Sequence, residues 1–171
     1  MTAETAETRS QTPGPPPADG PSWLPGPGTY TAEAGRCIVE LTARCGPFVT
    51  LRRRLTASGA VLTVVPDAEG CVLHLGLKGG PLRRSTLSFD TERVAPADQG
   101  ARILCHGELT LHGKPVSATL PLRVVERADD RLLVTGTMRM PYSLLRAATG
   151  FALPRTRPAD RLRLLVAAEF T

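Results

Sequence analysis

Two short arginine clusters are the residues of this sequence whose type and spacing best suit ligand binding. They are Arg52-Arg53-Arg54 and Arg83-Arg84. A guanidinium group donates paired hydrogen bonds to a carboxylate or phosphate, so a cluster at a cavity rim could hold an anionic head group. The residues predicted for that clamp are Arg52, Arg53, Arg83 and Arg84. A solvated, arginine-biased surface is the first interpretation of these clusters, and the head-group clamp is the second. Nucleic acid ranks last, because stacking aromatic side chains are scarce.

The histidines and cysteines show no spacing typical of a metal centre. These residues are His74, His106, His112, Cys37, Cys45, Cys71 and Cys105. Each cysteine lies in or beside an apolar run, so we expect reduced thiols that pack as small core side chains. The sequence therefore predicts no metal site.

No catalytic pattern stands out either. The sequence has no Gly-x-Ser-x-Gly elbow and no cysteine in a known catalytic context. Its strand carboxylates read as outward, solvated positions, and no glycine-rich loop opens a helix to hold a phosphate. We predict a protein that is not an enzyme, has no catalytic residue and needs no cofactor.

The elements that must position the arginines are strands. From Thr29 onward, apolar and polar residues alternate with a period of two, most clearly in 36–44, 101–112, 116–124, 131–140 and 161–170. One apolar and one polar face is typical of a half-buried antiparallel strand. Short turns separate the runs, and closing such a meander removes exposed strand edges. We predict an all-β fold, an antiparallel up-and-down lipocalin-like barrel of about eight strands.

A short helix and an N-terminal tail complete the predicted organisation. Residues 141–150 have proline near the start and glycine at the end, as short helices do, and we expect them to cover a barrel mouth. Residues 1–27 are rich in proline and glycine, which predicts a disordered tail before a single barrel domain at 28–171. Trp23 is expected to plug one end of that barrel.

The apolar strand faces predict the lining of the lumen. The predicted ligand-binding residues there are Val39, Leu41, Leu109, Leu111, Leu120, Leu122, Val134, Met138, Leu164 and Val166. An eight-stranded barrel is near the size that side chains alone can fill. A lumen filled by its own side chains therefore stays open as an alternative.

Five segments, in order, carry a resemblance to a known family. They are 28–31, 49–59, 85–89, 107–116 and 136–143. The hairpin at 107–116 reads Gly-Glu-Leu-Thr-Leu-His-Gly-Lys-Pro-Val and is the most specific of them. Together they resemble the YceI-like family of lipid-binding barrels. Two departures mark a shortened, diverged member: 33–36 lack the family's histidine, and only 78–84 remain of the segment before its third motif.

The resemblance implies a lipocalin-like barrel with an apolar lumen for a polyisoprenoid or another long lipid. The expected function is non-catalytic binding or sequestration of such an isoprenoid- or fatty-acid-like ligand. The alternative is a closed-lumen barrel that binds an anionic partner through its arginine-rich surface.

Charge and leader patterns bound the expected partners and location. The formal net charge is +5, which suits attraction to anions. No apolar run approaches the ~20 residues that span a bilayer, and the N-terminus does not read as a secretory signal. We expect a cytoplasmic protein with an apolar lipid-like ligand, no nucleic-acid partner, no transmembrane segment and at most transient contact with a membrane surface. Homodimer formation stays open.

Overall fold

The computed structural model describes residues 23–45, 47–67, 70–153 and 161–171, and the predicted tail up to Ser22 lies outside them. The described part holds nine strands and one α-helix. In chain order these are β1 (Gly28–Thr31), β2 (Cys37–Cys45), β3 (Phe48–Val64), β4 (Val72–Lys78), β5 (Leu87–Ala97), β6 (Arg102–Leu111), β7 (Lys114–Ala128), β8 (Arg131–Arg139), α1 (Tyr142–Thr149) and β9 (Arg161–Phe170).

Eight of these strands close into an antiparallel barrel. From β2 to β9 each strand pairs with the next, and β9 pairs back with β2. β1 continues the line of β2: it pairs with the far half of β3, and Thr31 exchanges two backbone hydrogen bonds with Thr171. The alternating runs thus form the strands that the sequence predicts, and the all-β barrel is confirmed.

The hairpin formed by β6 and β7 anchors the register. Leu111 pairs with Lys114 across the turn, and Arg102 pairs with Arg123 at the other end of the ladder. His112 and Gly113 form that turn with φ of 52° and 73°, which is the left-handed region that glycine adopts without steric cost.

The two ends of the barrel are covered differently. The end that we call the helical end carries α1 and the 3₁₀ turn Gly80–Leu82, from which Leu144, Leu145, Pro81 and Leu82 are buried. Pro141 precedes α1 and Gly150 ends it at φ 68°, as predicted from their positions in the sequence.

The opposite end, which we call the tail end, is covered by Trp23–Pro27. Leu24 is buried, and Trp23 is half-buried beside Gly100. The Gly26 amide donates to the Asp129 carbonyl at 3.1 Å, and the Tyr30 hydroxyl donates to the Gly26 carbonyl at 2.7 Å. These bonds hold the described part of the predicted tail against the barrel.

Candidate ligand-binding site

The predicted lumen residues all point into one apolar core. Each of the ten is at most 4% exposed, because each lies on the inward face of its strand. Four of them, Leu120, Leu122, Val134 and Val166, line a cavity at the centre of the barrel. The remaining lining residues are Leu73, Leu75, Ala168 and Phe170.

That central cavity is very small. Its volume is about 10 Å³, close to the least that holds one water molecule. Its lining has no polar side chain, so it offers a water no hydrogen-bond partner. The space between these eight side chains is therefore nearly filled, and an apolar chain can enter it only if they move.

A gap in the barrel wall lies between β7 and β8. Their ladder begins at Ala128↔Arg131 and ends at Leu122↔Gly136, so residues 114–121 of β7 pair with β6 but not with β8. Pro115 and Pro121 fall in this stretch. Proline has no N–H to donate and is accommodated at strand edges, which accounts for a free edge here.

The gap opens into a cleft of about 300 Å³. Its lining residues are Leu109, Val116, Ser117, Ala118, Thr119, Arg139 and Pro141. Val116 pairs with Leu109, so both lie on the inward face of the wall. Leu109 is fully buried, whereas Val116 and Ala118 are half-buried. The floor of the cleft is thus the apolar interior of the barrel, reached from the side.

The edge of the cleft is polar and bears a positive charge. Arg139 is exposed, and no ion pair to it is present among the described residues. Ser117 and Thr119 add hydroxyl groups on the exposed side of β7. A more open depression of about 270 Å³ adjoins these residues and also contacts Glu92 and His106. An apolar floor with an arginine at its edge suits a ligand with an apolar tail and an anionic head.

The arginines predicted to form a clamp lie at the helical end, and none of them lines this cleft. Arg52 is exposed and forms an ion pair with Glu40 at 3.3 Å. Arg53 pairs with Leu41 and therefore lies on the inward face, yet its side chain is exposed.

The second predicted cluster, Arg83 and Arg84, is exposed. It follows the turn Gly80–Leu82, which packs against β3 at Arg54 and Leu55. The two clusters thus belong to neighbouring elements.

The cysteines and histidines lie where solvated or structural roles suffice. All four cysteines are free, and burial raises the pKa of Cys37 and raises that of Cys105 to about 12. His74 Nδ1 lies 2.5 Å from Asp90 Oδ1, and His106 Nδ1 lies 3.1 Å from the Thr119 hydroxyl. Across the described residues, no three His, Cys, Asp or Glu side chains are grouped to hold a metal ion.

Sequence reasoning missed the cleft and its arginine. It treated Val116–Val124 as an ordinary strand and Arg139 as one outward polar residue among several. The available signal was the pair of prolines in β7, Pro115 and Pro121. Each lacks a backbone N–H, so a strand that contains both is not expected to be hydrogen-bonded to neighbours on both edges.

Comparisons with known proteins bear on the fold. The chain matches no family model and no curated protein. Among solved structures it is similar to BcnA of Burkholderia cenocepacia, at 15% identity and a TM-score of 0.60, over 82% of this chain and 99% of that one. A second similarity is to a polyisoprenoid binding domain from Saccharophagus degradans implicated in plant cell wall breakdown. It has 14% identity and a TM-score of 0.40, over 82% and 97% of the two chains.

The likeness to BcnA concerns the fold alone. A closed barrel with an apolar interior is an architecture that fits ligand binding. In the described part of the chain, no helix is long and apolar enough to cross a bilayer.

Proposed function

We propose that the protein binds, without catalysis, a small amphipathic molecule with an apolar tail and an anionic head. The observation that carries this proposal is the cleft between β7 and β8, where the buried Leu109 forms the floor. Arg139, which has no ion pair within the described part of the chain, lies at its edge. A diverged member of the YceI-like family, with an isoprenoid- or fatty-acid-like ligand, fits this reading of the site.

The dimensions of the cleft support such a ligand. About 300 Å³ is at the lower end of small-molecule pockets. Burial of an apolar tail against this floor contributes about 25 cal/mol of binding free energy per Å² of apolar surface removed from water. Arg139 adds a charge-assisted hydrogen bond to a carboxylate or phosphate head, which fixes the orientation of the ligand.

The filled centre of the barrel limits how the tail is held. Among the cavities lined by described residues, the cleft of about 300 Å³ offers far more preformed space to a tail than the central cavity of about 10 Å³. A longer tail has to displace lumen side chains, and Leu109 is the first in its path. We therefore place the head at Arg139 and the start of the tail along Val116 and Ala118.

Binding of a fluorescent fatty-acid probe tests this site. Ala118→Phe fills the cleft and Arg139→Gln removes its charge, and each should weaken probe binding on the order of tenfold, which corresponds to about 1.4 kcal/mol. The matched controls are Ala95→Phe, half-buried on β5, and Arg127→Gln, exposed on β7. Equal affinity in cleft variants and controls, or no probe binding at all, would reject the proposal.

A second candidate function is an interaction module that binds an anionic partner through the arginine-rich surface. The nearly filled lumen favours it, since this role needs no cavity. It predicts partner binding that weakens with salt and persists in Ala118→Phe. Binding that is indifferent to salt and lost in the cleft variants would exclude it.

A further inference from the structure

A row of arginines crosses the outer face of the barrel near the helical end. Arg52 pairs with Thr42, Thr42 pairs with Arg163, and Arg163 pairs with Arg139, across β3, β2, β9 and β8. Their neighbours Leu41 and Leu164 point inward, so this row points outward. We call these three arginines, with Arg44 and Arg54 beside them, the arginine row.

The row lacks enough carboxylates to balance it. Glu40 and Glu169 are the only acidic residues in the sequences of β2, β3, β8 and β9. Glu40 forms an ion pair with Arg52. Glu169 lies at the tail end, where it forms ion pairs with Arg36 and Arg131. Arg139 and Arg163 thus face each other, and neither forms an ion pair with a carboxylate of the described residues. Like charges directly opposite are destabilising. An external anion would relieve that repulsion.

An exposed aromatic side chain lies at the tip of the same surface. Phe48 is 72% exposed and Val49 is 44% exposed at the start of β3. Pairing of β3 with β4 begins only at Thr56, so residues 48–55 extend beyond the neighbouring strand. The hairpin formed by β2 and β3 therefore projects at the helical end, with apolar side chains at its tip and the arginine row behind them.

The connections at the two ends differ in charge. At the helical end, the described residues 47, 79–86, 112–113 and 140–153 contain no Asp or Glu, whereas they include Arg83, Arg84 and Arg146. Each connection at the tail end carries an acid. These acids include Glu33, Asp67, Asp98, Asp129 and Asp130. This asymmetry would turn the helical end toward a negatively charged surface.

We propose that the helical end docks on an anionic lipid membrane, with Phe48 inserted at the interface and the arginine row on the phosphate head groups. The inference names a partner for the second candidate function and does not depend on the cleft ligand. An exposed apolar tip beside cations favours a lipid surface over a nucleic acid, because it offers an insertion point but no series of stacking rings. Arg139 also borders the cleft, so docking would bring the cleft next to the head groups.

Co-sedimentation with vesicles tests the docking, using phosphatidylcholine alone and phosphatidylcholine mixed with phosphatidylserine. We expect binding only to the anionic vesicles, and its loss at about 0.5 M salt. The double variant Arg54→Gln/Arg163→Gln should bind on the order of tenfold more weakly. Phe48→Ser should reduce binding a few-fold. The controls Val125→Ser and Arg127→Gln, exposed near the tail end of β7, should bind like the unaltered chain.

Three results would overturn this inference. They are no binding to anionic vesicles, equal binding by the Phe48 and Val125 variants, and stronger binding to duplex DNA than to the vesicles at the same salt. Stronger binding to DNA would still support a function in binding an anionic partner, but with a nucleic acid and not a membrane as that partner. Loss of fatty-probe binding with vesicle binding intact would instead reject the cleft proposal. Circular dichroism of each variant confirms that a loss reflects binding and not unfolding.

Discussion

Gly136 of β8 lies directly opposite Leu122 of β7, and this is the last pair of their ladder toward the helical end. A Cβ atom on Gly136 would overlap the Pro121 carbonyl oxygen and press on the Leu122 side chain at 2.8 Å. The absence of a side chain thus lets the two strands meet at the point where they then separate.

Gly136→Ala should therefore destabilise the barrel, because the backbone of β7 must shift. We expect a loss of about 1–3 kcal/mol in the free energy of unfolding, as for other overpacked sites, measured by urea titration. Gly59→Ala is the matched control, since its Cβ would meet nothing within 4 Å. An equal loss in both variants would contradict the close contact described for Gly136.

Leu120→Ala should open the centre of the barrel. Leu120 is fully buried and lines the cavity of about 10 Å³, so truncation leaves an apolar void and costs about 2–5 kcal/mol. We expect the enlarged cavity to bind a small apolar probe such as benzene or xenon, which the unaltered chain does not bind there. Stability close to that of the unaltered chain would mean that the centre is not packed as described.

Arg163→Thr should raise stability while weakening membrane docking. The substitution removes the like-charge pair with Arg139 on adjacent strands, which is worth about 0.2–1 kcal/mol. The gain should be larger at low salt, because added ions screen the repulsion. Thermal unfolding at two salt concentrations measures it. A decrease in stability at low salt would show that Arg163 makes a favourable contact instead.

Cys105 should make the barrel less stable in alkali. Burial raises the pKa of its thiol from 9.0 to about 12, so the unfolded chain loses this proton first. The contribution to stability is complete below pH 9 and falls as pH rises toward 12, by up to about 1.4 kcal/mol per pH unit. Cys105→Ala should show a shallower fall in unfolding free energy between pH 8 and 10. The same slope in both proteins would exclude a buried, protonated thiol.

The barrel and the faces of its strands follow from the sequence, because alternation specifies which side chains point inward. This is why all ten lumen residues, from Val39 to Val166, are buried as predicted. Whether they bind a ligand stays a prediction. Alternation says nothing about which strand edges are bonded, so the gap beside β7 could only be suspected from Pro115 and Pro121.

The remaining differences depend on packing and register. The size of the central cavity depends on how side chains from opposite walls meet, and no local pattern encodes that. Arg53 lies on the inward face because it alternates with the buried Leu51 and Leu55 and pairs with Leu41, whereas the exposure of its side chain could not be read from the alternation. The charge asymmetry between the two ends likewise becomes visible only once the connections are assigned to one end or the other.

The ladder that closes the barrel joins β2 to β9, and the ion pair between Arg36 and Glu169 at its end spans 133 positions of the chain. A nascent chain therefore cannot complete this fold until β9 has left the ribosome. Until then, the strand edge of β2 that bonds to β9 has no lasting partner. Such long-range closure predicts slow folding and a period in which the growing polypeptide is prone to aggregate or to need a chaperone.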